Sequence, residues 1–224
     1  MINVVYGVFN TAVGGGGFTP AYYTPTSYTG GWANPENAFD GSGVATGTQS
    51  TIDMSSTTAG NFGSNESTVD ETYSFASTTG FSQIVIGGTY DYDLTSAATQ
   101  YTTGSLDPFF QGYVTGIARF LVQVSVDGGS TYTTIELKNC PTLPPGNAPS
   151  GQNLTGTTQP FNSTINSGSA IALPANLNLL KIRLSSYVSA NAYRGNDEGG
   201  TPNTLYEASG LAENNVSNMT VYVS

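Results

Sequence analysis

The segment Phe120-Leu-Val-Gln-Val-Ser-Val-Asp-Gly-Gly-Ser-Thr-Tyr132 carries the clearest fold signal in this chain. Every second residue from Phe120 to Val126 is apolar. Side chains two apart on a β-strand share one face, so this run predicts a strand with one buried face. Asp127-Gly128-Gly129 is a hairpin signal, because glycine permits a positive φ. The chain then returns over Tyr132 to Leu137, which predicts an antiparallel hairpin.

Similar patterns recur along the sequence. Alternation over Leu180 to Leu184 and over Met219 to Val223 predicts two late strands, while Ile84 to Ile86 predicts a short buried one. No amphipathic helix stands out, so we expect an all-β fold, an antiparallel β-sandwich of the jelly-roll type. Residues 140–177 and 190–214 are expected to be long, irregular connections. The predicted shared core contains Val122, Val124, Leu180, Ile182, Leu184 and Val221.

The run Asn34-Pro35-Glu36-Asn37-Ala38-Phe39-Asp40-Gly41 places a turn-rich polar loop around one aromatic residue. It resembles the opening loop of the discoidin-like, or galactose-binding-like, jelly-roll domains. The hairpin over Phe120 to Tyr132 resembles the central hairpin of that family, and Leu180 to Ser185 and Asn218 to Val223 resemble its late and closing strands. The matched pieces span Trp32 to Ser224, so the resemblance implies one β-sandwich over 32–224.

The resemblance also implies a structural calcium ion in the Asp40 loop. In that family an aspartate at this position, backbone carbonyls and a glutamate before the last strand hold the ion. Here Asn218 stands at about the position of that glutamate, unless Glu213 reaches in from the preceding loop. Fewer carboxylates favour Ca²⁺ less. The alternative is that Asp40 caps its own turn. Trp32 is interpreted as a core anchor rather than a sugar-stacking platform.

The composition excludes several classes of function. The chain has 224 residues and a net charge of −10, with five Lys plus Arg and no His. Without a basic patch we expect neither a nucleic acid partner nor an anionic membrane surface, and no apolar run reaches the ~20 residues of a membrane span. Without histidine, a Ser-His or Cys-His pair cannot be built, so we expect no enzyme. Cys140 is expected to be inert, and no cofactor is expected beyond the calcium ion.

Residues 1–31 are expected to form an N-terminal arm, hinged at the glycine run 14–17. The arm either docks on a neighbouring subunit or folds back on its own sandwich. The segment from Tyr90 to Tyr113 is also rich in aromatic residues, and exposed aromatic clusters mark interaction sites. Asp91 and Asp93 would share a strand face there, either as a solvated face or as paired carboxylates. The expected assembly contacts are Phe9, Phe18, Tyr22, Tyr23, Tyr92, Phe109 and Phe110.

The start of the chain lacks the pattern of a signal peptide, yet its composition is typical of a protein that faces the outside. Both features suit a virion component made in the host cytoplasm. We therefore expect a structural protein of a phage or archaeal virus, which decorates, cements or projects from the capsid or tail as a homo-oligomer. Its partners would be copies of itself and other virion proteins. The alternative is a carbohydrate-binding module, or the receptor-binding domain of a spike that recognises a host surface glycan.

Overall fold

A computed structural model describes residues 21–22, 24–49, 54–56, 62–76, 83–103, 112–140, 153–157, 161–166, 171–172, 180–194 and 203–223. Over these residues the chain forms thirteen strands and one short helix, so the all-β prediction is confirmed. The elements in chain order are β1 (Ala21–Tyr22), β2 (Pro25–Gly30), α1 (Asn37–Asp40), β3 (Ala45–Gln49), β4 (Met54–Ser56), β5 (Phe62–Phe75), β6 (Gln83–Thr103), β7 (Gly112–Ser125), β8 (Thr133–Cys140), β9 (Asn153–Thr157), β10 (Phe161–Asn166), β11 (Ile171–Ala172), β12 (Lys181–Arg194) and β13 (Asn203–Val223).

The strands form two antiparallel sheets. The five-stranded sheet has the order β2-β5-β12-β7-β8. The eight-stranded sheet is built on β6 and β13, with β1, β3 and β4 pairing with β13, and β9, β10 and β11 pairing with β6. The pairing of β6 with β13 runs from Ile84 opposite Val223 to Thr103 opposite Asn203. At about 3.3 Å per residue, each of these 21-residue strands is roughly 70 Å long.

The core lies between the two sheets and is made by alternate residues of the long strands. All six residues predicted for the shared core are buried. Ile182 illustrates the packing, because its neighbours across the two adjacent strands are Tyr73 and Val124, both buried. Trp32 is also buried, and its ring lies 6.3 Å from that of Phe120, which confirms its interpretation as a core anchor.

The predicted irregular connections over residues 140–177 and 190–214 are both wrong in part, because the first contains β9, β10 and β11 and the second contains the ends of two long strands. Strand β12 continues to Arg194, and β13 already begins at Asn203. The predicted short strand at Ile84 to Ile86 is the start of the much longer β6. In these extensions the inward positions are small residues such as Ala190, Ala208 and Ala212, all buried. Small side chains give little contrast in apolar pattern, whereas pairing on both sides still supplies backbone hydrogen bonds.

The last third of the expected arm pairs with both sheets. Ala21 and Tyr22 lie opposite Val223 and Tyr222 at an edge of the eight-stranded sheet. Residues 25–30 form the edge strand β2 beside β5. Residues 1–20 lie outside the described residues, so the arm over 1–31 and its boundary with 32–224 stay a prediction.

Candidate functional site

The Asp40 loop is a compact turn held by its own side chains. Helix α1 is a single turn, and Gly41 ends it with a φ of 69°, a conformation that glycine adopts without strain. Asp40 Oδ1 accepts a hydrogen bond from Ser42 N at 2.7 Å, and Oδ2 accepts one from Ser42 Oγ at 2.6 Å. These bonds stabilise the charged form and hold the pKa of Asp40 below its usual value. Asp40 therefore caps its own turn.

Asn218 lies beside this turn. Asn218 lies at an irregularity of β13 between Ser217 and Thr220 and has a φ of 53°. Its Oδ1 is 3.8 Å from the point where a Cβ on Gly41 would lie. Its amide nitrogen donates to Thr89 Oγ1 at 3.4 Å. A neutral amide oxygen thus borders the loop.

Glu213, the other expected ligand, belongs to a strand rather than a loop. It lies opposite Asp93 in β6, and it is five residues, or about 17 Å, from Asn218 along β13. Among the described residues, no group of three or more His, Cys, Asp or Glu side chains is placed to hold a metal ion. The donor set fits calcium only through Asp40, Asn218 and backbone carbonyls, so the calcium site stays a prediction.

An aromatic cluster anchors the loop to the sandwich. The Phe39 ring lies 4.9 Å from the ring of Tyr73 and 5.8 Å from that of Phe75. The Tyr73 hydroxyl donates to the carbonyl oxygen of Pro35 at 2.8 Å, and burial raises the pKa of Tyr73. Tyr28, nearly half exposed at 47%, lies 6.4 Å from Tyr73 at the outer edge of the cluster. The cluster therefore continues from the core to the surface of edge strand β2.

Glu71 is a buried carboxyl that the sequence analysis missed. It is 1% exposed, and its Oε2 accepts a hydrogen bond from Trp32 N at 3.2 Å. Its Oε1 has no hydrogen-bond partner among the described residues. Burial disfavours the charged form and raises the pKa of Glu71. Tyr73 and Phe75 are buried on one face of β5, and the same two-residue period places Glu71 on that face.

A second buried polar group joins the two sheets. The Asn214 amide donates to Ser186 Oγ at 2.6 Å, and Ser186 Oγ donates to the carbonyl oxygen of Gly47 at 2.9 Å. A Cβ on Gly47 would lie 2.1 Å from the ring of Trp32, so only glycine lets the indole pack here. All four residues are buried. These side chains therefore connect the two sheets inside the sandwich.

The outer face of the five-stranded sheet carries an ordered array of planar polar groups. Arg183 Nε and Nη2 donate to Gln123 Oε1 at 2.9 and 2.7 Å, and the guanidinium carbon lies 3.9 Å from the centre of the Tyr132 ring. Arg183 Nη1 is 3.8 Å from Asp70 Oδ2. Cross-strand contacts of this kind fix a flexible cation flat on the sheet.

Arg119 is held similarly on the same face. Its Nε donates to Asn139 Oδ1 at 2.9 Å, and its guanidinium carbon lies 5.5 Å from the centre of the Tyr187 ring. The Tyr187 hydroxyl donates to Glu66 Oε2 at 3.1 Å. Both Arg119 and Arg183 are therefore held mainly by neutral groups.

Beyond this face, Asp127 organises the predicted hairpin turn. Its carboxylate accepts hydrogen bonds from Ser125 Oγ, from Thr131 N and from Thr131 Oγ1, at 2.7, 2.9 and 2.6 Å. Together these bonds lower the pKa of Asp127. The residue fixes the hairpin and is not arranged with a partner for acid–base chemistry among the described side chains.

Only part of the expected assembly surface can be located. Tyr92 is half-buried, packs against the core and stacks on Tyr90 at 6.1 Å between ring centres. Tyr90 itself is buried, so it belongs to the core and not to an exposed cluster. Tyr22 pairs through its backbone with Tyr222. The roles of these residues in assembly stay predictions. The remaining expected contacts, Phe9, Phe18, Tyr23, Phe109 and Phe110, lie outside the described residues.

Asp91 and Asp93 do share a strand face, on the outer side of the eight-stranded sheet. Their strand neighbours Tyr90 and Leu94 are buried, so the two carboxylates point away from the core. Asp93 lies directly opposite Glu213, and Asp91 lies opposite Asn215. This outer side of the sheet therefore includes a like-charge cross-strand pair, Asp93 and Glu213, that the sequence alone did not reveal.

The described part of the chain contains no helix long and apolar enough to span a membrane.

Comparisons with known proteins leave the family open. No family model matches the chain, and no curated protein is significantly similar to it. Among solved structures, a chain in the structure of the infectious bursal disease virus Gx strain has 13% sequence identity and a TM-score of 0.18. The match covers 81% of this chain and 41% of the viral chain, so the protein described here spans less than half the length of the viral chain. A TM-score this low does not establish a shared fold, and no family is assigned to the chain.

Proposed function

We propose that this chain is a non-enzymatic virion structural protein that decorates, cements or projects from a capsid or tail. It would act through protein–protein contacts as a homo-oligomer, and its place would be the virion. The observation that carries this proposal is the position of the exposed apolar side chains. Of the three large ones among the described residues, Val44 lies in the loop before β3, whereas Tyr28 and Leu137, 47% and 50% exposed, lie on β2 and β8, the two edge strands of the five-stranded sheet.

Sheet edges of this kind are suited to protein contacts. An edge strand presents backbone N–H and C=O groups that a neighbouring chain can pair with. Exposed apolar side chains on the same strands add area that gains from burial. A chain that assembles with copies of itself or with other virion proteins would cover both kinds of group at once.

The use of the polar side chains supports a structural role over catalysis. Asp40 and Asp127 hold their own turns, and Arg183 holds three strands together through Gln123 and Asp70. Nucleophilic catalysis of the triad type needs a nucleophile, a base and a group that orients the base within hydrogen-bond reach. Asp40, Asp127 and Arg183 are instead engaged in turns and in cross-strand pairs.

A carbohydrate-binding role is the second candidate, and one observation favours it. The outer face of the five-stranded sheet presents planar polar groups, namely the Gln123 and Asn139 amides and the Arg119 and Arg183 guanidiniums. Such groups, beside tyrosines, suit the hydroxyl pattern of a sugar ring. A glycan array with the purified chain tests this, and loss of a specific signal in Gln123→Ala would assign the glycan to this face.

The composition of purified particles tests the structural role. Particles from the source of this sequence would be banded on a density gradient, and the copies of this chain counted by quantitative mass spectrometry. We expect many copies per particle, in a fixed ratio to the major capsid or tail protein. Absence from the banded particles, with the chain found only in the unassembled fraction, would overturn the proposal.

A further inference from the structure

The charged residues are segregated between the two sheets. All five Lys and Arg residues of the chain lie on strands of the five-stranded sheet, whose strands also carry four carboxylates. The strands of the eight-stranded sheet carry four carboxylates and no Lys or Arg. The strands of the five-stranded sheet therefore carry a net positive charge, and the strands of the eight-stranded sheet carry a net negative charge. The basic residues are Arg119, Lys138, Lys181, Arg183 and Arg194, and the carboxylates of the eight-stranded sheet are Asp91, Asp93, Glu207 and Glu213.

Three of the basic residues point outward. Lys181 and Arg183 flank the buried Ile182, and Arg119 precedes the buried Phe120, so these cations lie on the face turned away from the core. We call this surface the basic face. Arg119 and Arg183 are held mainly by amide oxygens and tyrosine rings, and Arg183 also lies 3.8 Å from Asp70 Oδ2. The same face carries the carboxylates of Glu66 and Asp70, so its three cations exceed its carboxylates by one.

The acidic face is on the opposite side of the sandwich. It is defined by Asp91, Asp93 and Glu213, which alternate with buried residues on β6 and β13. Glu213 is exposed and Asp93 half-buried, whereas Asp91 Oδ1 is buried without a hydrogen-bond partner among the described residues. Asp93 and Glu213 are directly opposed across the two strands, and like charges in that position destabilise a sheet. A cation supplied from outside would relieve this repulsion, so the face favours a positively charged partner.

The dimensions of the basic face suit a stable interface. The strands β2, β5, β12, β7 and β8 contain 6, 14, 14, 14 and 8 residues. At ~3.3 Å per residue and ~4.8 Å between strands, they cover about 900 Å². This area is close to the roughly 800 Å² that each partner contributes to a standard protein–protein interface. A second copy of the chain offers an acidic face of opposite charge.

We propose that copies of this chain associate face to face, with the basic face of one copy against the acidic face of the next. The contact is heterologous, so it repeats from copy to copy and builds a ring or an open stack. Two basic faces or two acidic faces would instead oppose like charges. This inference rests on the proposed function for its biological setting, and it specifies which surfaces the copies use.

Reciprocal charge reversal tests the pairing of the two faces. One variant, Asp93→Lys with Glu213→Lys, makes the acidic face positive; the other, Arg119→Glu with Arg183→Glu, makes the basic face negative. Sedimentation velocity of the full chain at low ionic strength would measure association. We expect each variant alone to lose self-association by about a hundredfold or more, because each now opposes like charges. Mixing the two variants should restore it, because both contacts then join opposite charges.

Two controls keep the test interpretable. Glu36→Lys changes the charge of an exposed loop residue outside both faces, and it should associate like the wild type. Far-UV circular dichroism and the melting temperature report folding of each variant. If a reversal variant does not fold, Arg119→Gln with Arg183→Gln is the milder substitute, with a smaller loss of association expected. High salt should weaken association of the wild type, because it screens exposed charges.

Several results would overturn the inference. A wild-type chain that stays monomeric at low ionic strength has no such contact. If only the basic-face variant loses association, the contact is isologous and joins two basic faces. If both variants fail to associate and mixing them does not restore association, pairing between the basic and acidic faces is excluded. A monomer that binds dextran sulfate through Arg119 and Arg183 would assign the face to an acidic polysaccharide. If particles contain a chain that is monomeric in solution, this inference fails while the proposed function stands.

Discussion

Replacing Glu71 with glutamine should stabilise the protein at neutral pH and change how stability depends on pH. Glu71 is 1% exposed, accepts one hydrogen bond from Trp32 N, and has an Oε1 without a partner among the described residues. An unpaired buried polar atom costs about 1–3 kcal/mol, and more when it is charged. Glutamine keeps the acceptor oxygen for Trp32 and the shape of the side chain, and it removes the charge.

The direction of the pH effect follows from the raised pKa. Burial raises the pKa of Glu71 in the folded state above its unfolded value of about 4.3. Between the unfolded and the folded pKa, the folded state therefore binds more protons than the unfolded state. The stabilising contribution of protonated Glu71 to the free energy of unfolding is fully present below pH ~4.3. It is lost as the pH rises through the folded pKa. The Glu71→Gln variant has no such loss.

Urea unfolding of both proteins across this pH range provides the measurement. The difference in free energy of unfolding, variant minus wild type, should increase from mildly acidic to neutral pH and reach about 1–2 kcal/mol. For a chain of this length that corresponds to a gain of about 2–8 °C in melting temperature. Contributions from the other carboxyls, including Asp40 and Asp127, cancel in the difference because both proteins share them.

Glu66→Gln is the matched control, because Glu66 lies on the same strand but is exposed. It should change stability by less than about 0.5 kcal/mol at every pH. A difference curve for Glu71→Gln that is flat with pH would refute the reasoning, as would a variant less stable than the wild type at neutral pH.

Three further predictions concern the core, the loop and the arm. Ile182→Ala should lower the free energy of unfolding by about 2–5 kcal/mol in urea titrations, because Ile182 is fully buried. The control Thr134→Ala, at an exposed position, should leave the free energy of unfolding nearly unchanged. Equal effects of the two substitutions would contradict the assignment of Ile182 to the core. If calcium binds the Asp40 loop, a chelator should lower the melting temperature of the wild type but not of Asp40→Ala; an unchanged wild-type melting temperature leaves Asp40 as a turn residue. Deletion of residues 1–17 should weaken incorporation into particles while circular dichroism stays that of a β-sandwich, and normal incorporation would show that the arm is dispensable for assembly.

The sequence was most informative where large apolar residues alternate. Phe120 to Val126 and Leu180 to Leu184 have a two-residue period of bulky side chains, so both strands and their buried faces could be predicted. The far parts of β6 and β13 were missed because described inward positions such as Ser96, Ala208 and Ala212 are small and hardly differ in polarity from their outward neighbours. Strand pairing rather than side-chain pattern sustains those segments.

Features that depend on register could not be predicted from one sequence. Arg183 meets Gln123 and Asp70 only because β12 lies between β7 and β5 in one particular register. The opposition of Asp93 and Glu213, 120 residues apart in the sequence, likewise follows from the pairing of β6 with β13. Glu71 is two residues from Tyr73, so a strand over these residues places both side chains on one face, but the sequence does not indicate that this face is buried.

Cryo-electron microscopy of purified particles tests the central claim most directly, because it shows whether this chain is a structural part of a virion. The account predicts density for a two-sheet β-sandwich, repeated by the symmetry of the particle, into which the described strands fit. Neighbouring sandwiches should be in contact through protein surfaces, with Tyr28 or Leu137 covered. A complete map with every protein of the shell and tail assigned, and no place for this chain, would contradict the account.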